Sequence, residues 1–191
     1  MDRTYEWLER AFIQIKENEA RLTDMDRAIG DGDHGANMVR GMEAALEGAR
    51  SAENRLKAAG MAIMSVTGGA AGSLYGSALY EASKNVKSIE NVEDVKRVSE
   101  IMLGKIKSLG GARMGDKTIV DVLEPFTAAL RDGKNFEEAL AIAEEAMKST
   151  REMVARKGRA SYLGERSRGT IDPGAYSMYL MLKSFEVIWY P

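Results

Sequence analysis

The sequence predicts one all-α domain over residues 1–191, and three observations carry that prediction. Apolar residues recur at three- and four-residue spacing along most of the chain. No segment alternates apolar and polar residues, with β-branched enrichment, over the length of a strand. Twelve methionines and abundant alanine suit helix-on-helix packing. With 191 residues, 45% hydrophobic and 29% charged, the chain is long enough to bury a core and is not of a disordered composition.

About eight helices follow, over roughly 3–22, 36–50, 54–66, 70–86, 93–108, 117–132, 136–156 and 173–188. In the first, Leu8, Phe12, Ile15 and Leu22 share a stripe. Val95, Val98, Met102 and Ile106 do so in the fifth, and Phe136, Ala139, Ala143 and Met147 in the seventh. The sixth opens in "GDKTIVDVLEPF", with Asp116 as its N-cap and Ile119, Leu123, Phe126 and Leu130 on one face. Pro125 inside it should kink the helix or shift a hydrogen bond. Most connections are short, as antiparallel neighbours require. The exception is 157–172, "KGRASYLGERSRGTID", which has no period, three glycines and four basic residues. A structureless stretch of that length inside a domain is usually functional.

Composition excludes several classes. A net charge of -2 gives no footprint for nucleic acid. There is no cysteine, so neither disulfides nor thiolate metal sites arise. The opening "MDRTYEWLER" has no signal-like core, and no run approaches the ~20 apolar residues of a membrane span. A cytoplasmic protein with no membrane partner is expected. A homodimer is compatible with the apolar end "EVIWYP", although one short tail does not establish an interface.

The stretch richest in chemistry is "DMDRAIGDGDHGANMVRG", residues 24–41, which crowds acidic side chains among glycines. Gly30–Gly35 matches the letters of G-x-G-x-x-G, but a dinucleotide fingerprint needs a strand before it, and there is none. Asp26, Asp31 and Asp33 are hard oxygen ligands, and a divalent cation is the obvious neutraliser. The spacing is not that of an EF-hand calcium loop; magnesium, held by a few carboxylates and substrate phosphates, fits better. The competing reading is a solvated turn whose aspartates only shape the backbone. His34, the single histidine, stands beside the cluster.

Two further stretches extend the pattern. In "TGGAAGSLYG", residues 67–76, the glycines either bring backbone N–H groups to a phosphate or let two helices pack closely. In 157–172, Arg159, Arg166 and Arg168 either offer fork-shaped donors to phosphate oxygens or form a solvated loop. Together these are the parts of a magnesium–nucleotide site for phosphoryl transfer.

In this order, "DRAIGDGDHGANMVRG", "GGAAGSLYG", "GDKTIVDVLEP" and "ARKGRASYLGERSRGTIDPGA" resemble the nucleotide-binding L subunit, or L domain, of dihydroxyacetone kinases. The resemblance spans essentially the whole chain. It implies a barrel of eight antiparallel helices, with ADP or ATP held at one end through two Mg2+ ions. It carries the metal ligands onto Asp26, Asp31 and Asp33, and nucleotide contacts onto His34, Gly35, Ala36 and Asn37. Ala70 and Ala71 fall in the second glycine-rich turn, Arg159 in the "GRAS" loop, and Asp172, Pro173 and Gly174 in the closing turn. Gly110 and Ile119 fall beside the adenine. Family members often have serine at the position of Ala71 and proline at that of Ser73. Before Asp172 this chain lacks the histidine of some relatives, so no catalytic side chain is assigned there.

The resemblance also implies partners. A K subunit would hold dihydroxyacetone covalently. In phosphotransferase-system-dependent enzymes an M subunit rephosphorylates the bound ADP in place, so that ADP acts as a coenzyme. Alternatives are an ATP-exchanging kinase subunit for dihydroxyacetone or another short ketose, the ATP-binding domain of a fatty-acid kinase, and a nucleotide-binding regulatory co-activator. The "GRASYLGERS" loop counts against the fatty-acid kinase.

Overall fold

The computed structural model describes residues 1–188. Among them are nine α-helices and no strand: α1 Thr4–Glu17, α2 Glu19–Ile29, α3 His34–Ala49, α4 Arg55–Val66, α5 Gly69–Ala82, α6 Val92–Gly110, α7 Val120–Arg131, α8 Phe136–Ser149 and α9 Pro173–Lys183. The all-α expectation holds. The end of the apolar tail, 189–191, lies outside the described residues.

Local chemistry sets the helix ends. Asn54, Asn91 and Asn135 each accept a hydrogen bond from the backbone N–H three residues on, and Glu138 returns the bond to Asn135 in a capping box. Asp172 caps α9, with Pro173 as its first residue. The helix expected over 3–22 is two helices, because Asn18 leaves the helical conformation at φ -106°, ψ 9°. Its amide donates to the Gln14 carbonyl and its side-chain oxygen accepts from the Tyr176 hydroxyl. Leu22 stays buried beyond the break, so the apolar stripe gave no sign of it.

Other boundaries also move. α8 ends at Ser149 and passes into a short 3-10 turn, Thr150–Glu152; α9 is likewise followed by a 3-10 segment, Ser184–Ile188. The aperiodic stretch contains 3-10 structure over Arg159–Ser167, broken at Gly164. α7 starts at Val120, and Asp116 is not its cap: the Asp116 carboxylate accepts from the Arg113 N–H instead. The turn before α7 is organised by Asp121, which accepts from Gly115 N–H at 2.6 Å and Thr118 N–H at 2.7 Å. α7 runs through Pro125, whose missing N–H leaves the Asp121 carbonyl without its helical donor.

Neighbour relations close a ring. α1 packs on α3, each helix from α3 to α8 packs on the next, and α9 completes the circuit between α8 and α1. This is the eight-helix barrel: short links make α3 to α8 successively antiparallel, while α2 joins α1 to α3 and the long 150–172 segment joins α8 to α9. α2 stands outside the ring, across one end, touching α3, α9 and the 159–167 segment. The ring encloses one contiguous apolar core. Trp7 stacks on Phe185 at 4.5 Å between centroids and donates its indole N–H to the Met181 carbonyl, binding the first helix to the last. A smaller cluster of Ile29, Ala155 and Ala160 holds the 3-10 segment against α2.

α4 and α5 cross closely at Gly60 and Gly76: a Cβ at Gly60 would lie 2.6 Å from Tyr80 N and 2.7 Å from Gly76 O. Gly104, exposed inside α6, has open space around it. Gly60→Ala should therefore lower stability by about 1–3 kcal/mol through overpacking. Gly104→Ala should raise it by roughly 0.5–1 kcal/mol through helix propensity. Chemical denaturation of the two variants checks both signs.

Candidate metal and nucleotide site

α2 ends at Ile29, four residues turn, and α3 begins at His34. The turn is fastened by Asp26, a buried side chain on the last turn of α2. One oxygen of its carboxylate accepts from the Asp33 N–H at 2.9 Å and the His34 N–H at 3.0 Å. The other oxygen occupies the place where a Cβ on Gly30 would stand, 2.1 Å away. Gly32 has φ +78°, a conformation that side chains rarely adopt. Both glycines are thus required by the shape that folds the aspartates together.

One carboxylate oxygen from each of Asp26, Asp31 and Asp33 lies within 4.8 Å of the others. Arg27 pairs with Asp24, and Arg40 bonds to Asn37. Arg159 reaches across from the far loop to form an ion pair with Asp31. The donor set is therefore three convergent hard oxygen donors facing a cavity, which is suited to a divalent hard cation such as magnesium.

That cavity has a volume of about 550 Å3 and lies at one end of the ring. Residues at or just before the starts of α3, α5, α7 and α9 line it, so backbone N–H groups and the positive ends of helix dipoles meet there. Asp31, Asp33, His34 and Asn37 form the acidic wall, with Asp26 behind. Ala70 and Ala71 line the opposite helix start, Asp172, Pro173 and Gly174 the start of α9, and Arg159 the loop side. Gly110 and Ile119 stand in the apolar portion with Leu74, Ile106 and Leu109. Gly35 and Ala36 are not among the lining residues. A Cβ at Gly35 would meet Thr23 and the Glu19 carbonyl at 2.3 and 2.4 Å, so that glycine serves the packing of α3 on α2, and Ala36 is exposed. Arg166 and Arg168 also lie off the cavity, Arg168 pairing with Glu165.

The glycines of "TGGAAGSLYG" fall into two groups. Gly68 and Gly69 line the cavity with open space before them. Gly72 and Gly76 face α4 and the Thr67 backbone, where a Cβ would clash. Ser73, noted in the sequence only as a departure from the family's proline, lines the cavity, and so does Ser77, which escaped sequence reasoning; its place two turns into α5, on the face shared with Gly69, was the available signal.

Lys117 was the larger omission. It is 1% exposed, sits at φ 62°, and donates its ammonium to the carbonyls of Ser167, Thr170 and Met153 at 2.6, 2.7 and 3.3 Å. Burial pulls its pKa down, and the negative charges of Asp172 and Glu152 oppose that. His34 lies 2.9 Å from the Ser177 hydroxyl, itself 2.8 Å from that of Tyr75, which joins α3, α9 and α5. Burial lowers the His34 pKa against the pull of Asp26 and Asp33. Asp172 accepts from the Ala175 N–H, and burial pushes its pKa up to about 7, with Asp121 and Asp26 adding to the effect.

Comparison with known proteins agrees with this fold. The family model for the DAK2 domain matches residues 28–186. The chain belongs to the DAK2 domain family. Among its relatives is a protein of Listeria innocua named PEP-dependent dihydroxyacetone kinase 1, ADP-binding subunit DhaL, 41% identical over 92% of this chain and 90% of the relative. The L-erythrulose 1-kinase of Mycolicibacterium smegmatis is 39% identical over 88% of this chain, which spans 32% of that protein. The dihydroxyacetone kinase of C. freundii, solved with AMP-PNP and Mg2+, shares the DAK2-domain fold with a TM-score of 0.69 at 23% identity; this chain covers 33% of its length. The resemblance drawn from the four sequence stretches is thereby confirmed, and with it the fold.

Asp172 supplies a test by pH. With its folded pKa raised above the unfolded value, the carboxyl stabilises the fold most when protonated, and that contribution is lost as pH rises through about 7. Asparagine keeps an acceptor for the Ala175 N–H while removing the charge. Without ligand, Asp172→Asn should unfold at a higher temperature than the parent at pH 8, by up to a few kcal/mol in stability, and at the same temperature near pH 4.

Proposed function

We infer that this DAK2 domain is the nucleotide-binding subunit of a dihydroxyacetone kinase, passing a phosphoryl group from a Mg-bound nucleotide to a short ketose held on a separate K subunit. The observation that carries the reading is the meeting, in one cavity, of three convergent carboxylates with four helix starts and an arginine-bearing loop. The printed name of the Listeria innocua relative, an ADP-binding subunit covered over 90% of its length, supports it.

Each part has a chemical task in this reading. Asp26, Asp31 and Asp33 would hold the metal, two ions on the family pattern, which when bound neutralises phosphate charge and orients the groups in transfer. The backbone around Gly68 and Gly69 has room for phosphate oxygens to approach. Arg159 offers charged donors to the same phosphates. The apolar wall at Leu74, Ile106, Leu109 and Ile119 receives the base. Transfer breaks the terminal phosphoanhydride bond and forms a phosphate ester with a ketose hydroxyl, whose proton is released.

The relative's phosphoenolpyruvate dependence favours ADP retained as a coenzyme and rephosphorylated in place by a phosphoryl-donor M subunit. The erythrulose kinase relative favours, as a second reading, the same chemistry on a longer ketose chosen by the K partner.

Native mass spectrometry of the freshly purified chain tests the coenzyme reading: one ADP with magnesium per chain is expected. A chain that is empty but binds ATP reversibly would replace it with ATP exchange. In an assay with a K partner, Asp31→Asn and Asp33→Asn should each lower phosphoryl transfer by at least about a hundredfold, the scale on which loss of a charge-stabilising group acts. Helical content should stay unchanged. Full activity in both variants would remove the metal assignment.

A further inference from the structure

Residues 150–172 form a loop with a closed neck and a protruding lobe. At the neck, the Asp172 N–H donates to the Thr150 hydroxyl at 3.1 Å, the Gly169 N–H to the Arg151 carbonyl at 2.8 Å, and the Ala155 N–H to the Ser167 hydroxyl at 2.8 Å. The lobe carries Lys157, Gly158, Arg159 and Ala160 to the cavity wall. Apolar contacts among Ile29, Ala155, Ala160 and Leu163, together with the Arg159–Asp31 pair, hold it against α2 and the acidic turn.

Lys117 enters this neck from the turn before α7. Its three ammonium hydrogens meet three acceptors, the carbonyls of Met153 on the outgoing side of the neck and of Ser167 and Thr170 on the return. Its backbone neighbourhood is tied to the same loop, since the Arg156 N–H donates to the Asp116 carbonyl at 3.0 Å. The backbone at Lys117 takes a left-handed conformation unusual for a side-chain-bearing residue, and the Asp121 carboxylate braces the turn on both sides of it. A long cationic side chain placed on a strained turn and saturated by carbonyls from both sides of one loop is not explained by filling a core.

We propose that Lys117 is a positioning residue for nucleotide binding: it clasps the neck of the 150–172 loop and so sets where Arg159 stands over the metal and phosphate region. The inference rests on the functional reading above for what Arg159 does, but not for whether Lys117 holds the loop. Lysine suits the task because one compact charge donates in three directions to backbone oxygens, whereas a planar guanidinium does not fit three carbonyls around a point.

Two measurements test it. In the ligand-free chain, tryptic cleavage at Arg156, Lys157, Arg159, Arg166 and Arg168, followed by mass spectrometry, reports opening of the lobe. Lys117→Met should raise those rates by at least about tenfold, the consequence of losing charged hydrogen bonds at the neck, while sites in the helices keep their rates. Lys117→Gln, which retains two of the three donors and buries no charge, should fall between Met and the parent and covers the case in which the Met variant does not fold. Parental cleavage of the lobe in the Gln variant, or in a folded Met variant, overturns the proposal whatever the chain binds.

The second measurement is Mg-ADP affinity in a double-mutant cycle of Lys117→Gln with Arg159→Ala. If Lys117 acts through Arg159, the Lys117 change weakens binding several-fold in the parent and has almost no further effect once Arg159 is gone. Independent, multiplying effects would show that Lys117, itself a lining residue of the cavity, acts on the nucleotide directly or on the fold at large, and would overturn the proposal. A parent chain that binds no Mg-ADP would overturn the functional reading instead, and the cleavage rates would still decide whether Lys117 holds the loop.

Discussion

Because neighbouring helices in the closed ring run in opposite directions, α3, α5, α7 and α9 all start at the same end. Everything at the candidate site depends on that alternation. It gathers unsatisfied N–H groups and four positive dipole ends, each worth roughly 0.3–1 kcal/mol toward a nearby anion, around one cavity. The same end receives α2, which lies outside the ring and brings the carboxylates. An anion-attracting floor and an acidic wall are electrostatically opposed, and a cation shared between carboxylates and phosphates reconciles them.

Magnitudes favour that resolution. Three carboxylates with oxygens within 4.8 Å repel one another by on the order of 1–3 kcal/mol per pair, between the limits of bulk water and a protein-like dielectric. Arg159 answers one of the three charges, at Asp31. The Asp33 and His34 N–H groups answer another, at Asp26, and they do so permanently, since those bonds shape the turn. What remains is a net negative cage open to a cavity of about 550 Å3, a volume suited to a small-molecule ligand.

Much of this was legible in the sequence. The stripes Val95–Ile106 and Phe136–Met147 are buried as their spacing required, and the three aspartates converge as their residue types suggested. Other features were hidden for physical reasons. The break at Asn18 leaves the apolar period intact, so only the side-chain bonds to Gln14 and Tyr176 reveal it. Asp116 and Asp121 both fit the chemistry of a cap, and the difference between them lies in which N–H groups the turn presents. Lys117 reads as one more charged residue in "GDKT", because its acceptors are backbone carbonyls 36 to 53 residues away and leave no mark on side-chain patterning. Arg166 and Arg168 show the converse: a basic loop was recognisable, but the register that turns Arg159 alone of its arginines toward the cavity comes from the Gly164 break and the packing of Ala160 on α2.

The central claim is that carboxylates hold a cation which in turn holds the nucleotide. Its most direct test is calorimetric titration of nucleotide-free chain with ADP, once with magnesium and once with a chelator. The account predicts tight binding with the metal and a loss of at least about a hundredfold without it, since phosphates facing uncompensated carboxylates at these distances forfeit several kcal/mol. Equal affinity in the two titrations would contradict it, and would leave Asp26, Asp31 and Asp33 as residues that shape a turn and nothing more.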